Sequence, residues 1–95
     1  MILIEERFFS ADHIQHISVE SINDEHYSVT INMTGYSTKL GFGIDYVLSK
    51  EMAFELRRRI VKAIADYKSG DTPSVQTVDI PTYQEVHPEA ENEKS

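Results

Sequence analysis

The chain has 95 residues and carries a net charge of −7, nine Lys+Arg standing against sixteen Asp+Glu. It lacks cysteine, which excludes a disulfide framework, a thiolate nucleophile and any cysteine-ligated metal. The length suits a single domain, the 40% hydrophobic content suits a globular one, and the acidity argues against a general nucleic-acid or membrane role.

Residues 2–9 read as a first strand, with Ile2, Ile4 and Phe8 on one parity and Leu3 and Phe9 breaking the pattern. Met1 to Ile4 run straight into Glu5-Glu6, without the basic start and apolar stretch of a secretory leader. No apolar run approaches the ~20 residues that cross a bilayer, so a cytoplasmic protein with no membrane contact is expected. Ile17 and Val19 alternate with Ser18 and Glu20, and Asn23-Asp24-Glu25-His26 makes a hairpin loop. Tyr27, Val29, Ile31 and Met33 then alternate with Ser28, Thr30, Asn32 and Thr34, a strand with one dry and one wet face. After a turn at Gly35-Tyr36, Thr38, Leu40, Phe42 and Ile44 alternate with Ser37, Lys39, Gly41 and Gly43 in another strand.

From Ser49 the period changes. Ser49 is a good N-cap, Glu51 suits the positive helix end, and Lys68 and Gly70 suit a C-terminus. At about 100° per residue, Met52, Ala53, Leu56, Ile60, Ala63, Ile64 and Tyr67 fall within an arc of about 120°. Ser69-Gly70-Asp71-Thr72-Pro73 is a stop-and-turn cluster. The expected fold is α+β: a small antiparallel meander of three or four strands with one amphipathic C-terminal helix on one face. Residues 1–70 would form the domain, and residues 71–95, with all three prolines and a balance of −5, an acidic tail that is partly or wholly extended. A core of about 70 residues rarely supplies more than ~3–5 kcal/mol without a staple. Either the tail packs back, therefore, or another chain helps.

The helix carries a second, narrower apolar stripe of Phe54, Val61 and Ala65, roughly opposite Met52 and Ala63. Arg57 and Lys68 flank it on one side and Arg58 on the other. Phe54 either caps the core from the helix margin, or the stripe docks a second copy, a partner or the tail; aromatic and Arg side chains are the types that carry interface energy. Arg57-Arg58-Arg59 with Lys62 is the one basic cluster, but successive helical residues diverge by about 100°, and Glu55 is placed to neutralise Arg59. In the tail, Ile80, Tyr83 and Val86 are apolar residues in an acidic, proline-marked segment of the kind that adds to a partner's sheet edge or groove.

Chemistry is poorly represented. His13 and His16 have a spacing that sends strand residues to opposite faces, no carboxylate completes a metal site, and no serine lies in a nucleophile elbow. Gly41-Phe42-Gly43 lacks the spacing of a phosphate loop. No catalytic residue, metal or cofactor is expected. The expected function is that of a small non-enzymatic interaction module: an inhibitor, adaptor or accessory factor, of the style found in phages and mobile elements, and a homodimer. Phe54, Arg57, Arg58, Val61, Ala65, Ile80, Tyr83 and Val86 would form its contacts, and its acidic end would steer it toward a basic protein partner. The alternative is a single-stranded nucleic-acid-binding accessory protein restrained by its own acidic tail, a reading the net charge disfavours.

Overall fold

The computed structural model describes residues 1–4, 6–40, 48–70 and 75–87. Where the pattern suggested a single first strand, the chain doubles back on itself. Strand β1 (Ile2–Ile4) pairs antiparallel with β2 (Arg7–Phe9), with Ile2 opposite Phe9, Leu3 opposite Phe8 and Ile4 opposite Arg7. The tight hairpin resets the parity: Phe9 joins Ile2 and Ile4 in the core, while Phe8 is left 58% exposed. Glu6 takes the left-handed conformation that closes the turn, at φ 67°. This conformation costs an L-residue about 1 kcal/mol or more relative to glycine.

After a single 3-10 turn at Ala11–His13, three antiparallel strands follow in meander order: β3 (Ile14–Ser21), β4 (Tyr27–Met33) and β5 (Tyr36–Leu40). The register slips by one residue between Ile14 and His16, then holds from Ile17 opposite Ile31 to Ser21 opposite Tyr27. The β3–β4 loop is built by Asn23, whose Oδ1 accepts from the backbone N–H of both Glu25 and His26 at 2.9 Å. Such local bonding is why asparagine nucleates turns. On β4, Val29, Ile31 and Met33 are buried as the alternation requires, but so are Ser28 and Thr30 on the face read as wet. β4 is the central strand, flanked on both sides by β3 and β5. Thr30 Oγ1 donates to Glu20 Oε2 at 3.1 Å, and Lys39 Nζ lies 3.4 Å from the same oxygen. Phe42 and Ile44, with Gly41 and Gly43, lie outside the described residues.

Helix α1 (Lys50–Ser69) begins and ends where its capping residues indicate. Ser49 Oγ accepts from the Met52 N–H at 3.2 Å, and Gly70 is left-handed at φ 76°. Met52, Ala53, Leu56, Ile60 and Ala63 are buried and Ile64 and Tyr67 pack against the core, so the whole predicted arc faces inward.

The chain then returns to its beginning. Strand β6 (Gln76–Val78) pairs parallel with β1, Ile2 opposite Gln76 and Ile4 opposite Val78, giving a second three-stranded sheet in the order β2-β1-β6. Val78 and Pro81 are buried, and Ile80 and Val86 pack against the core. A short helix α2 (Tyr83–Val86), capped by Thr82 Oγ1 accepting from the Glu85 N–H, closes the described chain. The fold is thus α+β, with a three-stranded antiparallel meander, a small mixed sheet and one long helix packed on them. The Ser69-to-Pro73 cluster separates two elements that share one core; Asp71, Thr72, Pro73 and residues 88–95 lie outside the described residues.

Two stability measurements follow. A chain ending at Gly70 loses β6, and the burial of Val78 alone is worth ~1.5–3 kcal/mol. Urea unfolding of that truncation should show a sharply lower midpoint, whereas an unchanged midpoint would mean that residues 71–95 add nothing to the core. Glu6→Gly should raise the urea midpoint, by up to about 1 kcal/mol in stability, by relieving the left-handed residue.

Candidate interaction surface on helix α1

Outside its inward arc, α1 is covered on one flank by the C-terminal segment and exposed along the stripe of Phe54, Val61 and Ala65. Phe54 and Val61 are 49% and 48% exposed, and Ala65 is also exposed. The second apolar stripe is therefore present on the surface, and the sheets do not enclose it. Tyr83 is exposed as well, but Ile80 and Val86 are half-buried against the core. Of the tail residues singled out in sequence, only Val86 lies beside the helix stripe: it and Phe54 form the apolar walls of an open groove of about 570 Å³ between α1 and α2. Lys50, Glu51, Arg58 and Glu85 stand around that groove, with Glu55 and Arg59 along one side.

The three consecutive arginines have three different fates. Arg57 reaches the meander, where its Nε donates to the Ile17 carbonyl at 3.0 Å and occupies an acceptor on the outer strand β3. Arg58 turns back along its own helix and holds Glu55 with two bonds, Nε to Oε1 at 2.8 Å and a terminal nitrogen to Oε2 at 2.7 Å. Arg59 ties α1 to the C-terminal segment. It donates to Glu55 Oε2 at 2.9 Å, to the Asp79 carbonyl at 3.0 Å and to Glu85 Oε2 at 2.6 Å. Lys62 pairs with Asp66 one turn on, at 2.9 Å. Bidentate and networked geometry of this kind gives ion pairs more than the usual surface value.

Glu55 feels both guanidinium groups. Hydrogen bonds from Arg58 and then Arg59 lower its carboxyl pKa to about 2 against a small opposing effect of burial. At the start of the helix, His87 closes the tail. Its Nε2 lies 3.4 Å from both Ser49 Oγ and Glu51 Oε2, and its ring stacks on Tyr83 with centroids 4.1 Å apart. The other histidines are dispersed: His16 contacts Asn32 and His26 contacts Asn23. Among the described residues no group of three or more His, Asp or Glu side chains is placed to hold a metal, and no helix is long and apolar enough to cross a membrane.

Of the residues singled out in sequence, the structure brings Phe54, Arg58 and Val86 to the groove, and leaves Arg57, Val61, Ala65, Ile80 and Tyr83 off it. The sequence pattern missed Lys50, Glu51 and Glu85 on the groove, and Arg59 as the link between helix and tail. Only the Glu55–Arg59 pair, four residues apart on a helix, was open to detection. Comparison with family models, curated proteins and solved structures finds no match to this chain.

The Glu55 cluster gives a pH signature. Glu55 is held below its unfolded value of about 4.5, so its contribution is complete above pH 4.5 and is lost as the pH falls toward 2. Glu55→Gln should cost ~1 kcal/mol at pH 7 in urea unfolding. Its deficit relative to the unaltered chain should shrink through that acid window; a deficit independent of pH would mean that the carboxylate charge does not matter.

Proposed function

We propose that the protein is a non-enzymatic, cytoplasmic interaction module that binds a protein partner through the outward face of α1 and the adjoining groove against α2. The observation that carries this reading is the half-exposed pair Phe54 and Val61, set two helical turns apart on an element whose opposite side is already buried. Exposed large apolar side chains gathered on one rigid element are a usual mark of a binding surface. Burying Phe54 would supply the aromatic anchor on which interface energy concentrates. Arg58, already oriented by Glu55, stands beside it on the groove. An inhibitor, adaptor or accessory factor works in this way, by occupying or bridging another surface without chemistry of its own.

Binding of a single nucleic-acid strand finds less support. Arg58, Arg59 and Lys62 each have a carboxylate partner within 3 Å, so the basic cluster is mostly neutralised where it stands. Phosphate binding needs cations whose counter-charges are exchangeable ions, not fixed side chains.

The test compares the full chain with Phe54→Asp/Val61→Asp as baits in extracts of the native host. A discrete protein retained by the first and lost by the second is the expected result. The thermal midpoint of the variant should be nearly unchanged, because both side chains are already half in water. Identical sets of retained proteins would overturn the reading, and a large fall in the midpoint would instead assign Phe54 and Val61 to the core.

A further inference from the structure

We propose that the outward face of α1 receives an acidic amphipathic helix of the partner protein. This rests on the reading of Phe54 and Val61 as a contact strip and adds the charge of what covers it. At about 100° per residue, Lys50, Phe54, Arg57, Val61, Ala65 and Lys68 occupy an arc of only about 80° that adjoins the buried one at Arg57 and turns outward from it, and all six are exposed. Among the described residues, Lys50 and Lys68 make no ion pair, and Arg57 is bonded to a neutral carbonyl, that of Ile17. Among the described residues none of these three charges has a carboxylate partner, whereas the basic residues at neighbouring angles do: Arg58 and Lys62 are held by Glu55 and Asp66.

The face is therefore an apolar line with a cation at each end, about 27 Å apart along the axis, and a third along one edge. Its sign is opposite to that of the whole chain, whose net charge of −7 points to a basic partner. At contact range the local pattern decides, because the Debye length is only about 8 Å in physiological salt. Phe54 and Val61 are about 10.5 Å apart along the axis, which matches apolar side chains at i and i+7 of a helix lying alongside. Carboxylates flanking that apolar row would meet Lys50, Arg57 and Lys68.

A second copy of this chain fits less well, because it would set the same three cations against their own images. The chain itself supplies a precedent. Next to this face, the acidic turn of α2 already lies on α1, with Val86 walling the groove and Glu85 bonded to Arg59 at 2.6 Å.

The experiment uses the full chain and three fluorescent probes followed by anisotropy. One is a helical peptide of about 18 residues with leucines at i, i+3, i+4 and i+7 and glutamates on either side of that row. The second has lysines in place of the glutamates, and the third is a single-stranded oligothymidylate. The glutamate peptide should bind about tenfold tighter than the lysine peptide and weaken with added salt. Lys50→Glu/Lys68→Glu should invert that order, and Phe54→Ala/Val61→Ala should weaken the glutamate peptide about tenfold while leaving the thermal midpoint in place.

Equal binding of both peptides, lost in Phe54→Ala/Val61→Ala, would overturn the charge assignment and leave the contact strip standing. Binding of neither peptide would overturn the proposal, and the extract comparison would then decide on the strip. Tighter binding of the oligothymidylate than of either peptide would make the ligand a nucleic acid. A dimer in light scattering that Phe54→Asp dissolves would make it a second copy.

Discussion

The fold depends on covering one side of a twenty-residue helix. Met52, Leu56, Ile60 and Ala63 recur along about 17 Å of α1, and each must meet apolar surface or remain in water. The meander supplies part of that surface through Ile17, Val29 and Ile31. The remainder comes from β1 and β6, which are separated by most of the chain and brought together only by their parallel pairing. The Gln76 N–H donates to the Met1 carbonyl at 2.9 Å just where that pairing begins. In a chain without disulfides, this closure takes the place of a staple.

The same helix explains why overall charge is a poor guide to the surface. The acidic excess of the chain is spent partly on holding its own arginines: Glu55 takes Arg58 and Arg59, and Glu85 reaches Arg59 from α2. Where carboxylates are drawn to one flank of the helix, the other flank is left with cations. Folding has sorted the charges by sign, which a sum over residues cannot register.

Much of this was legible. The two caps of α1 and its inward arc follow from Ser49, Gly70 and a 3.6-residue period, all local properties. The meander follows from alternation in β4 and from an Asn-led loop, and the outward stripe of Phe54 and Val61 follows from the same helical wheel. What was hidden is non-local or depends on a single-residue slip. The hairpin at Glu6 inverts the parity of Phe8 and Phe9, and the only sign was that Leu3 and Phe9 spoiled an otherwise regular pattern. Strand β6 is three residues long and has no period to detect; its partner lies at the other end of the chain. Arg59 bonding to Glu85 requires knowing that the tail returns, so the link across the groove was beyond reach of any local rule.

The parallel pairing of β1 with β6 also sets an order of events in synthesis. Antiparallel hairpins close within moments of their second strand appearing, and the meander and the first hairpin are of that kind. β1, made first, has no mate on its other side until residues 76–78 have left the ribosome. Until then Ile2 and Ile4 belong to a ribbon with one bare edge, and the emergence of β6, not of the helix, ends that exposure.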